Sequence, residues 1–367
     1  MIPGPVEFEP AVMQTVGMAT TSHVAPDFIG SFGHALTMMR EVWMSPSGQP
    51  FIIAGTGTLA MDMAGSNLIE PGDNALVVST GYFGDRYAEL LKRYGADVTV
   101  LKAATGDVVK VSEMEAELMK KQFKLMTFTH VDTSTAVRVD PEPLGLLGHK
   151  YGVLTVLDGV CSVAGEVIRQ DNWQIDVVFT ASQKAVGVPP GLALMVVSER
   201  AMKAWHERKT PVGNYYCDWH NWLPVMRAYE ERRPSYFGTP AVNLVAGLEV
   251  SLEIILKEGM EARFERHRRI GKAFRTAMLE RGLKMIPLSD DISANTLSAP
   301  YYPDGVTGAC FMKAIAASDV ILAGGLLPEI KEKYFRVGHM GSVTTGDILA
   351  TISAIESCLK ECGYKSL

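Results

Sequence analysis

A single lysine, Lys184, stands in the hinge "SQKAVGVPPG" between two runs as apolar as any in the chain, "DVVFTA" and "LALMVV". A loop lysine between buried strands ordinarily keeps its ammonium in water, so position alone favours a solvated cation. Its neighbours in sequence change that reading. Asp158 closes the run "VLTVLD", whose only other polar side chain is Thr155, so its carboxylate must be partnered or lie near solvent. Upstream, "FIIAGTGTLAMD" sets Gly55, Thr56, Gly57 and Thr58 between an apolar run and a helical pattern, where free backbone N–H groups and a helix N-terminus favour a phosphate. An amine that can form an imine, a carboxylate that can keep a pyridine nitrogen protonated, and donors for a phosphate are what pyridoxal 5′-phosphate requires.

The same glycine turn also fits GxGxxA, the dinucleotide fingerprint, through Gly55, Gly57 and Ala60. That fingerprint demands an acidic residue at the end of the next strand, and "ALVVSTGYFGDRY" offers Ser79 and Thr80 instead, which disfavours a nicotinamide dehydrogenase. Phe83 follows closely; an aromatic there can cover a flat ring or simply pack. "TFTHVDTSTAV" crowds His130, Asp132, Thr133, Ser134 and Thr135 at another strand end, where they could serve a site or cap the next helix.

These residues need a scaffold that brings strand ends together. From residue 50 the chain alternates apolar runs ("FIIAG", "ALVVS", "VTVL", "LMTFTH", "VLTVLD", "DVVFTA", "LALMVV") with amphipathic segments, which predicts a mostly parallel seven-stranded sheet covered on both faces. Ligands bind such sheets at the carboxyl ends of the strands. Only the lysine hinge joins the last two runs, too short for a helical crossover, so those strands should pair antiparallel. Asp140, Pro141 and Gly152 frame one helix as cap, first position and stop, and Gly95 ends another. The long helical pattern after residue 240 should break near Gly259, and beyond it a smaller set of alternating strands and helices reads as a second α/β domain. The domain organisation expected is an N-terminal segment 1–20, a large domain 21–250 and a small domain 251–367.

Composition bounds the partners. Net charge is 35 minus 41, or −6, over 367 residues with no long like-charge block, which argues against nucleic acid or a membrane surface. No apolar run reaches membrane-spanning length. Eight histidines show no ligand spacing, so no metal site is expected. The odd count of five cysteines suits a reducing compartment better than a disulfide framework, with Cys358 and Cys362 read as half-buried thiols and Cys310 as a packing residue. "MIPGPVEFEP" has no basic-then-apolar presequence pattern, and the terminal "YKSL" holds the letters of the peroxisomal signal in the wrong order, so the cytoplasm is expected, with peroxisome or mitochondrion left open.

The stretches "PGP" at 3 to 5, "AGTGTLAMD", "STGYFGDR", "THVDTSTAV", "LDGVCSVAG", "TASQKAVGVPPGL", "YFGTPAV" and "RVGHMG" together resemble the class V aminotransferases of fold type I, in particular the alanine:glyoxylate and serine:pyruvate branch and its fungal members. The resemblance implies that Lys184 bonds the cofactor's aldehyde carbon and acts as base, Asp158 binds the pyridine nitrogen, and Val160 and Phe83 cover the two ring faces. It further implies that Thr133 reaches the ring oxygen, that Thr56, Gly57, Thr58 and Gln183 hold the phosphate, and that Arg336 binds the substrate carboxylate with Gly4 beside it. Tyr236 and Thr239 match residues that reach the phosphate of a neighbouring subunit, which implies a homodimer with shared sites. The function implied is ping-pong transamination from L-alanine to glyoxylate, giving pyruvate and glycine, with serine:pyruvate or serine:glyoxylate transamination as the alternative. A non-catalytic relative would lack Lys184, Asp158 or Arg336, and all three are present.

Overall fold

In the computed structural model, which describes residues 1–365, the seven apolar runs form one sheet; the last two residues of the C-terminal "YKSL" lie outside the described residues. The strands are β1 (Gln49–Ala54), β2 (Asn74–Ser79), β3 (Asp97–Lys102), β4 (Leu125–Thr129), β5 (Leu154–Asp158), β6 (Val177–Ala181) and β7 (Leu192–Val197), in the order β1-β7-β6-β5-β4-β2-β3. Strand β7 runs antiparallel to both β6 and β1, and every other pairing is parallel. Every residue of β4 to β7 is buried, which is why those strands read as unbroken apolar runs rather than alternating ones.

The helices of the large unit are α1 (Pro10–Val16), α2 (Pro26–Val42), α3 (Gly57–Leu68), α4 (Tyr82–Arg93), α5 (Val111–Leu118), α6 (Pro141–Lys150), α7 (Glu199–His206), α8 (Trp219–Glu230) and α9 (Val242–Glu258). Their ends follow the punctuation in the sequence. The Asp140 side chain accepts from the Glu142 N–H with Pro141 at the first turn of α6, and Gly152 and Gly95 take φ of +68° and +85° just past α6 and α4. Gly259, at φ +85°, separates α9 from α10 (Met260–Glu280).

Past that break a second core forms around Phe274, Phe311, Phe335, Val337, Ile355 and Leu359. It is built from α10, α11 (Gly308–Ala316), α12 (Thr345–Glu361) and a three-stranded antiparallel sheet, β8 (Leu297–Ser298), β10 (Phe335–Gly338) and β9 (Ala323–Gly324) in that order. The cysteine expectation is corrected here. Cys310, at the start of α11, and Cys362, at the end of α12, are joined in a disulfide, whereas Cys358, one turn back on α12, is the buried thiol. The four-residue spacing places 358 and 362 on adjoining turns; the inner one meets the core and the outer one meets the neighbouring helix.

The first six residues run from the small unit to the large one: the Met1 carbonyl accepts from Gly338 N, and Val6 N donates to Gln183 O at 3.1 Å. No helix among the described residues is long and apolar enough to cross a membrane.

Candidate active site

Asp158 ends β5 and is 2 % exposed. One of its oxygens accepts from the backbone N–H of Val160 at 3.0 Å, and no side chain among the described residues pairs with it. Burial pushes its carboxyl up to about 7; the nearby Asp132 adds to this, and the Val160 N–H, Lys184 and Arg86 work against it. A buried carboxylate without a cation costs several kcal/mol unless something cationic joins it, so this residue marks a place where a positive group belongs.

Lys184 lies in the loop that reverses β6 into β7. Three carbonyls around it have donors from other segments, Gln183 O from Val6 N, Ala185 O from Arg263 and Val186 O from Ser251, and Lys184 O accepts from Gly187 N within the loop. The loop is therefore held by its backbone while its amine stays free of carboxylates, donating to the Pro3 carbonyl. Gly4 sits against that side chain at φ +113°, a conformation that favours glycine; a Cβ there would come within 2.6 Å of Lys184 Cδ and 2.8 Å of Nζ and would push the amine aside.

Lys184 and Asp158 line one cavity of about 180 Å³. Thr56, Gly57, Thr58, Gln183, Phe83, Val160 and Thr133 line it too. Thr56 is extended and Gly57 opens α3, so the first N–H groups of that helix have no partner within it and can receive an anion. A Cβ on Gly57 would approach Val160 Cγ2 to 2.9 Å, which requires glycine for the turn to close on Val160. The buried Oε1 of Gln183 has no hydrogen-bond partner. A lone carboxylate and a helix N-terminus around a lysine fit a phosphorylated pyridine.

The polar cluster after β4 does cap a helix, but the one behind it in sequence. Asp132 accepts from the N–H groups of Phe83 and Gly84 at 3.0 and 3.4 Å at the start of α4, and from Ser134 N and Oγ at 2.9 and 2.6 Å. It thereby places Phe83 and Thr133 together. Thr129 and Val131 also line the cavity, four and two residues before Thr133, and the period of two was a signal for them that the sequence reading missed. Arg86 was missed too; its Nη2 donates to Thr58 Oγ1 at 2.9 Å.

Arg336 lies on β10, with Nε donating to Gly324 O at 2.8 Å and Nη1 to Thr133 O at 3.3 Å. It pairs with no carboxylate among the described residues, so the surface salt bridge that an isolated arginine usually forms is absent here. Tyr334, two residues earlier, receives the N–H groups of Leu326 and Leu327 at 2.8 Å each and donates to Ser134 O, tying β10 to the Thr133 segment. Tyr236 and Thr239 do not line the cavity; both are exposed, and the Tyr236 ring lies 5.4 Å from that of His23.

Larger cavities of about 550, 500 and 300 Å³ open elsewhere. The first is lined by Asp73, Asn74, Lys124 and Gly152, at the amino ends of β2, β4 and β5, away from the ends where parallel sheets bind ligands. Across the α2 and α9 surfaces His34 hydrogen-bonds Glu249 at 3.0 Å and lies 3.9 Å from Glu253.

Comparison with known proteins converges on one family. Residues 29–325 match the family model described as Aminotransferase class-V. The chain is 37 % identical over 355 residues to alanine–glyoxylate aminotransferase 1 of Saccharomyces cerevisiae, covering 93 % of this chain and 91 % of that protein. It is 31 % identical to the L-aspartate–glyoxylate aminotransferase of Paracoccus denitrificans over 99 % of this chain and 91 % of that one. The crystal structure of ureidoglycine–glyoxylate aminotransferase from Bacillus subtilis superposes with a TM-score of 0.93 at 25 % identity, covering 100 % of this chain and 94 % of that one.

Proposed function

The chain belongs to the class V aminotransferases, pyridoxal 5′-phosphate enzymes of fold type I, and we propose that it transfers the amino group of L-alanine to glyoxylate, yielding pyruvate and glycine. When bound, the cofactor supplies an electron-withdrawing ring that stabilises negative charge at the substrate's α-carbon. Asp158 keeps a proton on the ring nitrogen, and that proton is the cation its buried carboxylate otherwise lacks. The Lys184 amine would hold the cofactor when it is bound and, once free, would serve as the base for the proton on the substrate's α-carbon. Thr56, Gly57, Thr58 and Gln183 bind the phosphate; Phe83 and Val160 enclose the ring; Thr133 orients the ring oxygen.

Arg336 binds the substrate carboxylate through the guanidinium edge that Gly324 and Thr133 leave free. Gly4 leaves space beside Lys184 for the substrate's α-carbon. Small donors are favoured because Arg336, which does not itself line the cavity, is taken by the first carboxylate and Lys184 is the one cation in the lining among the described residues, which leaves no matched partner for a second carboxylate. Three relatives named for alanine, aspartate and ureidoglycine donors share glyoxylate, which supports the acceptor more strongly than the donor. The exposed Tyr236 and Thr239 are proposed to complete the phosphate site of a second copy, making the working unit a homodimer.

The observation that carries this reading is Asp158, a buried carboxyl with no side-chain partner that lines one cavity with Lys184, together with Arg336, a part-buried guanidinium bonded to the carbonyl of the cavity residue Thr133 and to no carboxylate among the described residues. Its test is the visible absorption of purified protein with pyridoxal 5′-phosphate, before and after L-alanine and then glyoxylate. The expected result is a band bleached by alanine, restored by glyoxylate, and missing from Lys184→Ala. A protein that cannot take up the cofactor sinks the assignment, and one whose band ignores alanine but responds to L-serine moves the donor to serine.

A further inference from the structure

Arg263, in the first turn of α10, is 3 % exposed and hydrogen-bonds neither the Asp158 nor the Lys184 side chain. Its Nε donates to Ala164 O at 2.7 Å, its Nη2 to Ala185 O at 2.8 Å, and its Nη1 to Glu258 Oε2 at 2.8 Å. Ala185 directly follows Lys184. Ala164 closes the turn that leaves Asp158, and its φ of +63° lies in the left-handed region, which a residue other than glycine holds only when its surroundings impose it. One rigid, planar fork therefore binds the segment of the ring-binding carboxylate and the segment of the amine at once.

The same turn of α10 reaches a third segment. Gly341 N donates to His267 Nε2 at 3.0 Å, so the His267 proton is on Nδ1 and is donated to Arg263 O at 2.8 Å. Arg266 donates to Gly341 O at 3.0 Å, and Glu258 accepts from both Arg263 and Arg266. Gly341 lies just beyond the strand that carries Arg336. Three loop segments thus converge on one helical turn outside the sheet.

We propose that Arg263 is a positioning residue for the transamination reaction, setting the separation between Asp158 and Lys184 through the carbonyls of Ala164 and Ala185. This rests on the transaminase reading above. The guanidinium is the side chain that serves both carbonyls, because a lysine ammonium is a point donor on a flexible stem and cannot hold two acceptors at a fixed spacing. Displacement of a reacting group by about 1 Å costs about a hundredfold in rate.

The test compares the parent with Arg263→Met, Arg263→Lys and a control, Arg275→Met. Arg275 is an equally buried guanidinium on the same helix that bonds Asp290 and Ala294 O and touches neither site segment. In the holoenzyme, Arg263→Met is expected to lose about a hundredfold in kcat with the donor KM within about threefold, and to shift the visible band. Arg263→Lys should fall between it and the parent, while Arg275→Met loses thermal stability but keeps kcat. In the cofactor-free protein, hydrogen exchange should speed up in residues 159–166 and 182–191 for Arg263→Met and not for Arg275→Met. Unchanged exchange in those two segments, together with kcat within twofold of the parent, overturns the proposal. If Arg263→Met is recovered only as aggregate, the same two outcomes are read from Arg263→Lys. A parent with no transaminase activity refutes the functional reading instead, and the exchange data then decide the role of Arg263 by themselves.

Discussion

Asp158→Asn in the cofactor-free protein isolates the physical claim on which the site rests. Burial raises the Asp158 carboxyl from 3.8 to about 7, so the folded chain holds its proton more tightly than the unfolded chain does. The stability this contributes is complete below the unfolded value and is lost as pH rises toward 7. At about 1.4 kcal/mol per pH unit the whole effect is about 4 kcal/mol, of which about 2 to 3 kcal/mol falls between pH 5 and pH 8. Asparagine has nearly the same shape, keeps an oxygen for the Val160 N–H, and does not titrate. Urea denaturation of both proteins at fixed concentration from pH 5 to 8 should therefore show the parent losing about 2 to 3 kcal/mol relative to the variant. Other titrating groups, including the buried His130 and His339 that desolvation lowers to about 3, are common to both and cancel in the difference. Added pyridoxal 5′-phosphate at pH 8 should stabilise the parent more than the variant, because it brings the missing proton. Parallel pH profiles for the two proteins would refute the view that an unpaired, buried carboxylate is waiting for a cation.

The remaining predictions concern the other groups. Lys184→Ala should fold, bind the cofactor without the visible band of the parent, and lose at least about 10⁴-fold in turnover, since both the attachment point and the base are gone. Arg336→Met should raise the donor KM and lower kcat/KM by about 10²- to 10³-fold, the equivalent of one lost bidentate ion pair, with the absorption band intact; a twofold change would remove Arg336 from the substrate site. Gly4→Ala forces a Cβ to within 2.6 Å of Lys184, so it should slow turnover by more than tenfold while leaving the melting temperature within a few degrees, as read by steady-state kinetics and thermal unfolding. Cys310→Ser opens a loop spanning 52 residues and should cost up to about 4 kcal/mol in urea unfolding while kcat stays unchanged, because the bridge joins α11 to α12 and touches no residue of the cavity.

What could be read from the sequence and what could not divides along a physical line. Strands β4 to β7 were legible because burial on both faces leaves their composition nothing to alternate with, and the reversal of β7 followed from a loop too short to cross the sheet. Asp158 and Lys184 stood out for the complementary reason, each being an ionisable residue where the surrounding chemistry has no use for one. The supports behind them carry no such mark. Asp132 reaches Phe83 across 49 residues, Arg263 reaches Ala164 across 99 and Ala185 across 78, and each is a charged side chain in an otherwise ordinary polar or helical stretch. Cys310 misled for the same reason, since an odd count says nothing about which helix ends meet. Arg336 lies between these cases: its strand was visible in "YFRVG", but its availability to a substrate depends on Gly324 and Thr133 offering carbonyls rather than carboxylates, a fact of tertiary structure alone. A site of this kind announces its reactive groups through local incongruity, while the geometry that makes them reactive is supplied by residues whose local sequence is unremarkable.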